Sequence, residues 1–228
     1  MQGIQSRHPP GGACLITGDQ LRYVQAMKCI TALQVPAGSA APWMSGVLVA
    51  HNINTALKAV MDNPKLEWAW LMGDDHLFPP DVLIKLLDRD VDCIVPLCLN
   101  RAPPMDPTII IGKERLKRIE ELPPEGGLYK LAENETCGDA GILIRRNVLE
   151  ATGPNWHELK KSGVHNAEDR EFVQKVKDAG FDVWVDLDNP ISHMAAFEIV
   201  PVSKEAGWEV RLNCANRHVC DLGTMREE

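Results

Sequence analysis

Asp74, Asp75 and His76 stand side by side in "WAWLMGDDHLFPPDVLIKLL", directly after an apolar run that stops at Gly73. Adjacent carboxylates repel each other unless positive charge lies between or beside them. Oxygen-rich groups of this kind suit a hard divalent cation. Helix capping does not require them, because Pro79, Pro80 and Asp81 already open the next helix with proline in its first turn. If the strand ran on through His76, Asp74 and His76 would share a face and both could act as ligands.

A second acidic pair, Glu168 and Asp169, opens the helical pattern "AEDREFVQKVKDAG". Acids in a first turn favour the helix dipole, and Asn166 with Asp169 could form a capping pair. The same field keeps a carboxylate ionised, ready to take a proton from a hydroxyl. The sequence leaves both roles open. His193 in "DNPISHMA" is a further candidate ligand. Arg101 could meet a diphosphate or lie in an exposed loop, and Trp156 could stack on a sugar or fill the core. Cys214, His218 and Cys220 could hold zinc, but their spacing matches no common site and no fourth ligand is evident.

The elements that must position these residues follow from periodicity. "ACLITG" (13–18), "SGVLVAH" (45–51), "LEWAWLMG" (66–73) and "VDCIVPLCL" (91–99) read as strands. Between them, helical spacing is expected over 19–33, with Leu21, Val24, Met27, Ile30 and Leu33 on one side, over 52–62 and over 79–90. The alternation β-α-β-α-β-α-β predicts a mostly parallel sheet with helices on both faces. In such sheets ligands bind outside the carboxyl ends of the strands, where Asp74–His76 and the pair Thr17–Gly18 fall. Beyond Asn100 the pattern predicts a short strand "TIIIG", a charged peripheral stretch, and strand, strand and short helix within "GLYKLAENETCGDAGILIRRNVLEA". It then predicts a helix from Ala167 to Gly180 with Phe172, Val173, Val176 and Ala179 inward, and a strand "FDVWVD". Short strands "FEIVPV" and "WEVRLN" and a polar tail close the chain.

The 228 residues carry a formal net charge of −8, which disfavours nonspecific binding to nucleic acid or anionic membrane. A phosphate-bearing ligand would need a metal or a few placed cations. No apolar run approaches the roughly 20 residues that span a bilayer, and the N-terminal stretch lacks the layout of a signal peptide. A cytoplasmic protein is expected. The seven cysteines, with no close CxxC pair and mostly apolar neighbours, suit reduced, buried thiols.

The segment around Asp74 resembles the Asp-x-Asp segment of GT-A glycosyltransferases, the family 2 type in particular: apolar strand, acidic triplet, aromatic, Pro-Pro-Asp, apolar helix. "FPPD" frames Asp75 on the last acid, the usual metal ligand, and Asp74 on the middle one; Gly73 stands where the first acid normally sits. "CGDAGILIRRNVLEATGPNW" is similar to the family's Gly-rich acceptor-side strand, and "AEDREFVQKVKDAGFDVWVD" to its Glu-Asp helix followed by Gly and a strand. The likeness runs over residues 13–197.

The resemblance implies a single GT-A-like, Rossmann-like α/β domain over 1–228. Residues 13–100 would be the nucleotide-sugar-binding half, 101–197 the acceptor-side half and 198–228 a C-terminal extension. It implies a sugar moved from a UDP- or GDP-sugar to an acceptor hydroxyl, with inversion. Asp169 would be the base with Glu168 in support. Asp75 and His193 would hold Mn²⁺ or Mg²⁺. Thr17, Gly18, Asn54, Asp74 and Asp75 would meet the donor; at Asn54 the family has an Arg-Asn dipeptide, and Ile53 replaces the arginine here. Two other readings stand beside it. A nucleotidyltransferase would usually carry a Gly-rich basic loop after the first strand, whereas "TGDQLR" has one glycine and one arginine. A nucleotide- or carbohydrate-binding module without catalysis would explain Gly73.

Overall fold

A computed structural model describes residues 1–17, 23–46, 48–112, 115–158, 167–204, 207–214 and 217–223. Its centre is a seven-stranded sheet built from β1 (Gly12–Thr17), β2 (Trp43–Ser45), β3 (Trp68–Gly73), β4 (Cys93–Pro96), β5 (Leu128–Lys130), β6 (Leu143–Arg145) and β7 (Trp184–Asp186). The spatial order is β5-β7-β4-β6-β3-β1-β2. Strand β1 runs parallel to β2 and β3, and β7 runs parallel to β4. Strand β6 is antiparallel to both β3 and β4, and β5 is antiparallel to β7.

The sheet is therefore mixed, which corrects the expectation of a mostly parallel one. The reason is β6. Its chain comes back from the Gly138–Gly141 stretch and slots between β3 and β4, so it starts at the edge where those strands end. An apolar run carries no sign of its direction, so periodicity could not reveal this.

Helices cover both faces, as the alternation predicts. Along β1, Cys14 and Ile16 point to one layer and Ala13 and Leu15 to the other; along β3, Ala69 and Leu71 oppose Trp68, Trp70 and Met72. This is the period-2 alternation of a strand buried on both sides. One layer is closed by α2 (Val49–Met61), α4 (Arg146–Thr152) and α5 (Ala167–Asp178) through residues such as Ile53, Leu57, Val148, Leu149 and Phe172. The other is closed by α1 (Val24–Ala32) and α3 (Val82–Asp88), with Ile30, Leu83, Leu86 and Leu87 against the sheet.

Several boundaries differ from the sequence reading. The expected strand over 45–51 is a strand only at Trp43–Ser45, and helix α2 begins at Val49. The buried set Ile53, Ala56, Leu57 and Val60 has helical spacing and overrides the local β-preference of "VLV". Val24 is 71% exposed, so the inward face of α1 rests on Ile30 and on Leu33 just beyond it. Ala179 follows α5 and is exposed, whereas Phe172, Val173 and Val176 are buried as expected. The polar tail contributes a strand, Arg217–Gly223, to an antiparallel three-stranded sheet with Phe197–Lys204 and Gly207–Cys214. Leu21, Asn166 and the Cys214 and Cys220 side chains lie outside what the structure describes. Among the described residues no helix is long and apolar enough to cross a membrane.

Helix α5 carries an acid of interest, so its seating matters. Phe172 is fully buried and stacks on His157 at 4.7 Å between ring centroids. Phe172→Ala leaves a cavity and should cost about 3–5 kcal/mol of unfolding free energy, read by urea denaturation. A loss below about 1 kcal/mol would show that this residue does not lock α5 onto the sheet.

Candidate functional site

The carboxyl ends of β1, β3, β4 and β7 lie along one edge of the sheet, because these four strands are mutually parallel. Each sends a loop over that edge. Strand β6 begins there and adds the Gly138–Ala140 stretch. A cavity of about 320 Å³ opens among these segments; its wall includes Thr17, Asp74, Asp75, Arg101, Asp139, Asp169, Arg170 and His193.

Asp75 is the hub. After Gly73 the chain makes a turn at Asp74–Asp75 and starts a short strand, His76–Leu77, which pairs antiparallel with Ser192–His193. Strand β3 thus does not continue through His76. The Met194 backbone N–H donates to the Asp75 carbonyl at 2.8 Å and fixes this corner. The Asp75 carboxylate is largely buried. Its Oδ2 accepts from Arg101 Nη1 at 2.8 Å and lies 3.5 Å from His193 Nε2; its Oδ1 lies 3.0 Å from His76 Nδ1. The two imidazoles stack with centroids 4.5 Å apart. The His193 Nδ1 faces the Leu99 carbonyl at 3.0 Å.

Charge follows from this packing. Burial pushes the Asp75 carboxyl upward, but His193 and His76 outweigh it and hold it well below the usual carboxylate range. Burial pushes both histidines down, yet Asp75 and Cys98 raise them, His193 to about 9. Burial pushes the Cys98 thiol up, and the same two histidines bring it down to about 7. The cluster therefore sets carboxylate and thiol against imidazoles and a guanidinium. One ligand-capable atom each from His76, Cys98 and His193 lies within 4.8 Å of the others. His76 Nδ1 is close enough to Asp75 for charge pairing but off hydrogen-bond geometry, and its Nε2 is buried with no hydrogen-bond partner among the described residues. A donor set of this kind, with an orphaned ring nitrogen, fits a divalent metal.

The other expected site residues are placed as follows. Asp74 is buried at the cavity wall. Thr17 closes β1, and its hydroxyl accepts from the Trp43 indole N–H at 3.2 Å. Asp169 lies near the N-terminus of α5; its Oδ2 sits 3.7 Å from the position that a Cβ on Gly138 would take, so the two segments meet closely there. Gly18 and the Glu168 side chain lie outside what the structure describes. Asn54 is not on this wall: its amide donates to the His157 carbonyl at 2.7 Å and accepts from the His157 backbone N–H at 3.0 Å. Trp156 is buried with its indole N–H on the Leu149 carbonyl, so it fills the core.

Sequence reasoning missed two features. Cys98 falls two residues past β4, at the ligand edge, but its apolar neighbours made it look like core. Asp139 accepts or shares a proton with the buried His157 at 3.0 Å, and Asn54 fixes that histidine's backbone. The edge rule for strand ends could have flagged Cys98; the Asp139–His157 pair is too distant in sequence to read.

No protein-family model and no curated protein matches the chain. Among solved structures, the crystal structure of GalNAc-T7 with UDP, GalNAc and Mn²⁺ is similar, with a TM-score of 0.53 and 9% identity, over 83% of this chain and 44% of that one. At that identity the likeness is one of fold, and the fold is shared with a glycosyltransferase. A197 from STIV aligns over 94% of this chain and all of its own, with a TM-score of 0.47 and 12% identity.

The absence of an acid at Gly73 has a local cause. A Cβ there would lie 3.0 Å from Asp75 Oδ1 and 3.3 Å from His76 Nδ1, tighter than ordinary contact. A carboxylate would add repulsion to crowding. Gly73→Asp should therefore lower stability by about 1–3 kcal/mol and should not raise activity. A variant that melts with the wild type would mean that the Asp75 side chain is free to swing away.

Proposed function

We propose that the protein is a metal-dependent glycosyltransferase that moves a sugar from a UDP- or GDP-sugar to an acceptor hydroxyl, with inversion. The observation that supports this best is the convergence of Thr17, Asp74, Asp75, His193 and Asp169, far apart in sequence, on one cavity at the carboxyl edge of the sheet. The shared fold with a structure holding UDP and Mn²⁺ agrees with it.

Under this reading the nucleotide lies over the end of β1, beside Thr17, and the diphosphate faces the Asp74–Asp75 turn. Asp75 and His193 are the side chains that would hold Mn²⁺ or Mg²⁺, which supplies the positive charge a leaving diphosphate needs. Arg101 and Arg170 on the same wall add cationic character to an otherwise acidic chain. Arg101 is already paired with Asp75, so it can turn from that carboxylate toward a phosphate without a long movement. Asp169 takes the proton of the acceptor hydroxyl as that oxygen attacks the anomeric carbon. It stands near the N-terminus of α5, where the helix dipole favours its ionised form. Asp139, held by His157, is the other acid on the acceptor side.

Calorimetry with UDP and GDP, in Mn²⁺ and in chelator, should show binding that needs the ion; equal affinity in both would remove the metal from the reading. Asp169→Asn should leave that binding nearly intact while turnover falls by roughly 10² to 10⁴. Asparagine also serves near a helix N-terminus, so a purely capping role predicts a near-normal melting temperature and near-normal turnover. That result would retire Asp169 as the base.

A further inference from the structure

We propose that Cys98 is a metal ligand, completing a three-residue centre with His76 and His193 that prefers a borderline-soft ion, Zn²⁺ or Co²⁺, to Mn²⁺ or Mg²⁺. The inference replaces Asp75 with His76 and Cys98 among the ligands of the transferase reading and changes the preferred ion, and its core claim stands without that reading.

Three segments deliver the ligands: the loop after β4, the turn after β3, and the short strand after β7. One ligand atom from each lies within 4.8 Å of the other two. Ligands about 2.0–2.3 Å from a tetrahedral zinc stand roughly 3.3–3.8 Å apart, so about an ångström of side-chain movement closes the set. Cys98 and His76 are buried, at 2% and 7% exposure. The thiol donates a long hydrogen bond of 3.7 Å to its neighbour's carbonyl at Leu99, and both imidazoles lie beside it. The His76 Nε2 has no hydrogen-bond partner among the described residues. Leaving a buried ring nitrogen unpaired is unfavourable, and a metal is a group that it can serve without a donor proton.

The surroundings of the His193 ring follow the pattern of a metal-bound histidine. His193 turns Nδ1 to the Leu99 carbonyl, and His76 turns Nδ1 toward the Asp75 carboxylate. The Leu99 carbonyl fixes the His193 tautomer that leaves Nε2 to present its lone pair, and an ion there would take the place of the Asp75 oxygen that lies 3.5 Å from it. Asp75 lies beside both rings and supplies negative charge next to the centre. A thiolate among two imidazoles selects zinc-like ions, whereas all-oxygen sets select Mg²⁺ or Mn²⁺. Three protein ligands leave one position open, the arrangement of a working rather than a structural zinc site. In the transferase reading a diphosphate oxygen would take that position.

The test is cobalt substitution in the full chain, stripped with chelator and kept reduced. Co²⁺ should bind with a sulfur-to-cobalt charge-transfer band in the near ultraviolet, and Zn²⁺ should displace it. Cys98→Ser should abolish the band, while Cys29→Ser, at a half-buried position outside the cavity, should keep it. X-ray absorption of the zinc-loaded wild type should find one sulfur at about 2.3 Å, which decides the matter even if Cys98→Ser fails to fold. A band that survives Cys98→Ser, or bound metal with no sulfur neighbour, overturns the assignment. Calorimetry with UDP and GDP separates the two claims. The band without nucleotide binding keeps the centre and removes the transferase; Mn²⁺-dependent nucleotide binding at a sulfur-free centre does the reverse.

Discussion

A buried carboxylate at Asp75 sets the terms for everything around it. A negative charge at that depth is tolerable only if positive charge and donors surround it. His76, His193 and Arg101 provide them, and each arrives from a different part of the chain. Meeting that demand explains the turn at Asp74–Asp75, the pairing of His76–Leu77 with Ser192–His193, and the fold-back of the loop that carries Arg101. It also explains the glycine before the turn, since the carboxylate lies where a further side chain would press. The chemistry of the cavity and the local backbone thus have one cause.

The rest of the fold holds this cluster still. The two apolar layers grip β3 from both faces, so its end is anchored by Trp68, Trp70 and Leu71 rather than by the loop. The antiparallel β6 lies between β3 and β4 and brings Gly138–Ala140 to the same edge. Helix α5, locked through Phe172, Val173 and Val176, presents Asp169 opposite. A rigid floor with loops for walls is the usual way for α/β sheets to make a site.

Much of this is legible in the sequence. The buried alternation of strand and helix up to β4 follows from periodicity, and the carboxyl-edge rule put Asp74 and Asp75 at the edge where the cavity opens. What failed did so for physical reasons. Strand direction is a tertiary property, so β6 hid the mixed character of the sheet. At Val49 the short β-branched run looked like a strand until the buried face over Ile53–Val60 outvoted it. Cys98 could not be told from a core thiol, because what distinguishes it is the company of two histidines that sequence cannot bring near. Asn54 serves the backbone of His157, a partner a hundred residues away.

The pairing of His76 with His193 also dictates when the cavity can exist. Contacts between distant parts of a chain form late, because the intervening segment must first be organised. During synthesis β1, β3 and their helices can collapse early, yet the Asp75 carbonyl lacks the Met194 N–H, and the cluster lacks one of its two imidazoles, until residue 194 has emerged. The nascent chain therefore carries an incomplete cluster for most of its growth. However much of the sheet has formed by then, the buried Asp75 carboxylate waits for the segment around His193 before its surroundings are whole.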